Sequence, residues 1–297
     1  MKTQLEIHPS IGVCRVGTSR QFFLGAESGK RPAKYRDDQG NLLRQGCRFR
    51  VFACQRDDAG KLVSWEEITP DKGTITWSAH VVNRKAAAPI FLDRRTGLHN
   101  DNPELRRNGA QGDPAVDAQW IIDPGEHRIQ GSNAGPVYLD AGKFHDVQVP
   151  LGELRTDDQG ALIVVGGFGK SGSLPAQGHP DAPTIEDFAD NNGWYDDTSD
   201  GPIRAVVQLK GSKSPQPALA AWVLTTPPDF APEIMNLITM YDTVLQVAID
   251  RGWRKIPDVP SFVNHIQPIL SRAVGYQFVN RFNHAGHAGR GHANFAL

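Results

Sequence analysis

The sequence predicts a mainly β protein: an antiparallel, sandwich-like domain over residues 1–228, then a short and incomplete α-helical segment over 229–297. Three observations carry this. Short runs of alternating apolar and polar residues recur as far as "AAWVLTT" (220–226). Turn clusters built on Asp and Gly separate them, and apolar spacing of three and four begins only after "PPDFAP" (227–232).

The strands follow in order. "RFRVFAC" and "LVSWEEI" flank "RDDAGK" (56–61) and read as a hairpin. In such a turn Asp accepts backbone N–H groups and Gly takes a positive φ. "RDDQGN" (36–41) and "RTDDQGA" (155–161) repeat that chemistry. "TITWSAHVV" places Ile75, Trp77, Ala79 and Val81 on one face and His80 on the other. "HRIQ", "HDVQVPLGEL", "ALIVVGG", "RAVVQL" and "AAWVLTT" complete the β set, with Gly201-Pro202 expected to launch a strand at 203–209. Beyond Pro228, Ile234, Leu237, Ile238, Tyr241, Val244 and Leu245 form one helical stripe, with Pro232 suited to the first turn and Gly252 to the end. A second helix is expected over "SFVNHIQPILSRAVGYQFVNRF", kinked or broken near Pro268. The Gly/Ala/His tail that follows reads as the middle of something longer.

Composition narrows the function classes. A net charge of -1 gives no electrostatic reason to expect nucleic acid. No stretch approaches the roughly 18 unbroken apolar residues of a membrane helix, so no membrane partner is expected. The N-terminus lacks an apolar h-region, which leaves the cytoplasm or export without a classical signal. Three scattered cysteines are too few for a disulfide scaffold. Cys47 and Cys54, seven apart on one strand, face opposite ways, and Cys14 is expected to pack.

Four motifs invite chemistry, each beside a structural reading. "NNGWYDDTSDGPIRA" (191–205) puts Asp196, Asp197 and Asp200 beside Trp194 and Tyr195. Aligned to an EF-hand loop, its twelfth position is Val207 where a bidentate Glu is required, so calcium binding fails. Adjacent Asp196 and Asp197 on an extended chain point apart, and carboxylates accepting backbone N–H groups is the preferred reading. "VVGGFGKSGS" (164–173) ends like a phosphate-binding loop, but Val164 stands where its first Gly belongs and no helix follows. A Gly-rich corner between strands is expected instead. "WSAHVVNRKAA" (77–87) gathers His80, Asn83 and Lys85, but with no partner nucleophile His80 reads as structural. His284, His287 and His292 are weak metal candidates in a Gly-rich segment with nothing to fix their geometry.

Six stretches in order, "IHPSIGVCRVGTSRQFFLG", "GCRFRVFAC", "ITWSAHVVNRKAA", "LIVVGGFGKSGS", "GWYDDTSDGPIRA" and "AAWVLTTPPDFAP", resemble the lysine ε-oxidase and glycine oxidase quinoproteins over most of residues 5–245. The resemblance implies oxidative deamination of an amino acid, with oxygen as acceptor and peroxide and ammonia as products. It also implies a cysteine tryptophylquinone cofactor, matured with an FAD-dependent partner flavoprotein. In the family that Cys–Trp pair and its catalytic base lie in the C-terminal half, and no Cys or Trp here matches them. No catalytic or cofactor residue is therefore carried over, and this chain alone is expected to be silent. Tyr195, Asp196 and Asp197 are kept as candidates for a substrate entrance, where phenol and carboxylates would orient an ammonium group. Turn architecture ranks above that role. The alternative is a shortened, stand-alone binding or interaction module. Either reading calls for a partner, the remaining C-terminal half or a second copy, to cover the helical segment.

Overall fold

Arg44–Arg56 forms the thirteen-residue strand β4 around which the β sheet is organised. Its second half lies between β1 (Lys2–His8) and β5 (Leu62–Glu67), both antiparallel to it. Its first half pairs with β3 (Phe22–Leu24) on one side, and with β12 (Leu162–Val165) and the end of β2 (Ile11–Arg15) on the other. In this computed structural model residues 2–25, 27, 32–87, 108, 118–176, 178–182, 193–229, 231–232 and 234–276 are described. The chain divides into two compact units: residues 1–25 with 36–228, and residues 26–35 with 229–297.

In the first unit the main sheet runs from β7 (His127–Gln130) through β6 (Gly73–Ala79), β15 (Ser199–Leu209), β17 (Ala221–Thr226), β2, β4 and β12 to β11 (Glu153–Thr156) and β8 (Val137–Tyr138). The sheet curls until its two end strands lie beside each other, so that it is nearly closed. Off this path β16 (Gln216–Pro217) flanks β15, and β9 (Lys143–Phe144) pairs with β10 (Val147–Gln148); most ladders are antiparallel, but β17–β2 and β3–β4 are parallel. Alternation fills the interior as the sequence requires: Trp77 on β6, Phe49 on β4, Ile203 on β15, Val223 on β17 and Leu162 on β12 share one core. Trp77 satisfies its one polar atom there, donating from Nε1 to Gly160 O at 2.9 Å.

The Asp-Gly turns form three times over. Asp37, Asp57 and Asp157 each accept from the amides two and four residues on through Oδ1, at 2.8–3.0 Å. Gly40, Gly60 and Gly160 sit at φ +82°, +80° and +73°. Cys14, Cys47 and Cys54 are free thiols. Cys14 lies fully buried in the core, and burial pushes its thiol well above its ordinary value. Cys47 packs against the core while Cys54 lies on the opposite face of β4.

Two expectations are corrected. β15 starts at Ser199 and runs through Gly201-Pro202, so the Gly-Pro pair lies inside the strand. Pro202 is tolerated because its carbonyl does the bonding, accepting His80 N–H at 3.2 Å. A Cβ on Gly201 would stand 2.0 Å from His80 O, so the close approach requires glycine. In the second unit, helix α1 is Met240–Asp250, not a helix opening at Pro232. Its start is set by a capping box in which Thr239 and Asp242 satisfy each other's backbone N–H groups. The second helical region breaks as expected: a π turn at Phe262–Ile266 precedes α2 (Gln267–Gly275), with Pro268 in the first turn of α2. Arg272 of α2 reaches Asp242 of α1 at 2.5 Å and ties the two helices.

Candidate functional site: an acidic corner

The short strand β14 (Trp194–Tyr195) pairs with β13 (Gly172–Ser173), and Asp196, Asp197 and Thr198 carry the chain from it into β15. Because successive side chains of an extended segment alternate, the two carboxylates diverge. Both are buried nonetheless, Asp196 at 6% and Asp197 at 1% exposure.

Asp196 points toward the segment after β6. It receives Lys85 Nζ at 2.7 Å, Asn83 Nδ2 at 2.9 Å and its own turn's Thr198 N at 3.0 Å. Asn83 is fixed in turn, donating to Asp196 O and accepting from Lys85 N. Burial alone would raise the Asp196 carboxyl, but the Lys85 ammonium and the Thr198 hydrogen bonds hold it below the ordinary 3.8. Asp196 is thus a locked, ionised group.

Asp197 points the other way, into the glycine-rich corner after β12. Its Oδ2 accepts Gly169 N at 2.7 Å and Lys170 N at 3.0 Å. The segment that imitates a phosphate-binding loop therefore does cradle an anion, and the anion is the protein's own carboxylate. A Cβ on Gly167 would fall 2.4 Å from that oxygen, which explains a glycine there. Burial pushes Asp197 up from 3.8 to about 6, against the pull of the two amides, and the neighbouring Asp196 charge adds to the rise. Two adjacent carboxyls are thereby driven to opposite sides of their ordinary value.

Tyr195 is half-buried, its ring 5.2 Å from that of Phe144. Of the three entrance candidates it alone keeps appreciable exposure. The structure brings Asn83 and Lys85 to this corner but sends His80 elsewhere, to Asp123 Oδ1 at 2.8 Å. His284, His287 and His292 lie outside the described residues.

A second buried network went unread in the sequence. Arg44 and Glu153, each 1% exposed, meet at 3.3 Å. Arg44 also donates to the carbonyls of Ser19, Arg20 and Gly166 and lies over the Phe168 ring, 4.2 Å from its centroid. It thus fastens β4 to the same corner that holds Asp197. Only its position within an otherwise alternating strand hinted at burial.

The residues present do not fit the quinone that the family resemblance implies. Among the described residues one Cys and one Trp face each other across a ladder, Cys54 and Trp65. Trp65 is 65% exposed, whereas a redox group that handles reactive intermediates needs shelter from water.

The profile described as "L-Lysine epsilon oxidase N-terminal" matches residues 8–225. An L-lysine 6-oxidase of Marinomonas mediterranea is 31% identical, over 93% of this chain and 43% of its own length. The crystal structure of the L-Lys ε-oxidase from that organism superimposes with a TM-score of 0.61 at 27% identity, covering 92% of this chain and 45% of the other. Its Schiff base intermediate with L-Lys gives 0.59 at 28% identity, with the same coverage. This chain spans less than half the length of the relatives it matches. With the profile covering most of the sequence, the chain belongs to the L-lysine ε-oxidase family, in its N-terminal region.

Proposed function

We propose that this chain is the β-rich, non-redox portion of a quinone-dependent amino-acid oxidase that deaminates lysine or a glycine-type substrate with oxygen. One observation carries the reading: 93% of this chain matches 43% of a lysine 6-oxidase. The redox group and its base belong to the other portion, together with the maturation flavoprotein's work. The part played here is to present a rigid surface against which that portion packs.

Two exposed apolar faces support this. On the outer side of the sheet, Ile11 lies beside Trp222 and Val13 beside Leu224 in register, 36–62% exposed. In the helical unit, Met240, Trp253 and Val259 are 73–83% exposed. Exposed apolar surface, contiguous in register across β17 and β2, is of the kind that marks an interface. The acidic corner braces the sheet, and Tyr195, its half-buried member, is our candidate to meet an incoming amine in the complete enzyme, a role ranked below turn architecture. A stand-alone binding module remains the second reading, favoured by the same two faces.

The test is peroxide release by the purified chain with L-lysine and with glycine. No substrate-dependent peroxide is expected from the chain alone, and turnover by it would refute the assignment of the redox group elsewhere.

A further inference from the structure

We propose that Glu6, His8 and Cys54 form a binding site for a zinc ion on the outer face of the β1–β4 ladder. The register places Glu6 opposite Phe52, His8 opposite Arg50 and Gln4 opposite Cys54. Leu5, Ile7, Phe49 and Val51 take the core side, so the even-numbered residues share the outer face. Glu6, two residues from Gln4, is the diagonal neighbour of Cys54 on the ladder, and His8 lies one step further along the same face.

His8 Nε2 stands 3.4 Å from Glu6 Oε2, and the ligand atoms of all three residues lie within 4.8 Å of one another. A tetrahedral zinc ion with bonds of roughly 2.0–2.3 Å holds its ligand atoms about 3.3–3.6 Å apart. Closing the set needs the ligand atoms, now within 4.8 Å, to approach one another by up to about 1.5 Å. Imidazole, thiolate and carboxylate together suit a borderline-soft divalent ion, and three protein ligands leave a fourth position for water.

The surroundings supply the supporting contacts that a metal site needs. Arg56 donates from Nε and Nη2 to Glu6 at 2.9–3.0 Å and fixes its orientation. Arg56 is itself held by Gly60 O at 3.2 Å. The His8 ring meets Phe52 edge-on at 5.7 Å, and Phe52 meets Trp65 at 5.5 Å. Glu6 and Cys54 are buried while the His8 side chain is 44% exposed, so an ion has access from the His8 side. The Arg56 charge opposes a cation and weakens the site. It does not abolish it, because a zinc ion with one thiolate and one carboxylate is neutral as a group.

The test uses the full chain, reduced and stripped with chelator, titrated with cobalt(II) and then zinc. One equivalent of cobalt should give a thiolate-to-cobalt absorption band that zinc abolishes. Cys54→Ser should remove the band. His8→Ala, a surface change, should weaken cobalt binding by about tenfold or more. Cys47→Ser, and a variant with His284, His287 and His292 all changed to Ala, should leave the band intact. No cobalt band at millimolar metal, a band surviving Cys54→Ser, or a band lost with the three tail histidines would overturn the proposal.

Discussion

Asp197→Asn should remove a pH-dependent cost from the folded protein. Burial holds the folded carboxyl at about 6, against an ordinary 3.8. Between those values the folded state keeps a proton that the unfolded chain has shed, so stability falls as pH rises through the window. Above about pH 6 the full cost of an ionised, desolvated carboxylate is present. The gap from 3.8 to about 6 corresponds to roughly 3 kcal/mol. Asn keeps the acceptor, since only Oδ2 takes the Gly169 and Lys170 amides. Any fixed cost of burying the new amide nitrogen applies equally at every pH. The quantity to read is therefore how the stability difference between variant and wild type changes with pH. Urea denaturation of the full chain, followed by tryptophan fluorescence, should show the variant gaining about 2.5 kcal/mol relative to wild type between about pH 4 and pH 7.5. A difference that stays flat, or moves the other way, would refute the burial argument. A flat difference would mean that the two amides cancel desolvation, and the reverse trend that they outweigh it.

Three further changes probe the frame around that corner. Arg44→Met leaves Glu153 with Arg155, at 2.6 Å, as its remaining charge partner and takes a donor from the carbonyls of Ser19, Arg20 and Gly166, and should cost about 3 kcal/mol in the same assay. Lys85→Met should raise the Asp196 carboxyl and cost on the order of 2 kcal/mol near neutrality, the loss shrinking as acid protonates Asp196. Asp57→Ala removes the one oxygen that accepts two backbone amides in an exposed hairpin turn and should cost only about 1 kcal/mol, read as a lower urea midpoint at unchanged slope.

What was legible in the sequence was local. The three Asp-Gly turns, the alternation of Ile75, Trp77 and Ala79, and the divergence of Asp196 from Asp197 follow from neighbours within a few residues. What was hidden depends on contacts between distant segments. Lys85 reaches Asp196 across 111 residues, and Arg44 reaches Glu153 across 109. Neither pairing leaves a spacing signal. The parallel β17–β2 ladder is invisible for the same reason, because register along a strand does not reveal which strand lies beside it. The glycine corner after β12 lies between strands, as its sequence predicts, and its likeness to a phosphate-binding loop has a physical basis. Its amides bind an anion as the motif suggests, but that anion is covalently part of the fold. The start of α1 was readable in Thr239 and Asp242, yet Pro232 offered a competing signal that tertiary context did not use.

The most direct test of the central claim, that this chain is the non-redox portion of a larger oxidase, is the intact mass of its polypeptide in the native source with a redox-cycling quinone stain on the same band. A band well above 32.5 kDa that stains is the expected result. A band at 32.5 kDa would contradict it: unstained, it would leave a binding module to explain, and stained, it would place the quinone within these 297 residues.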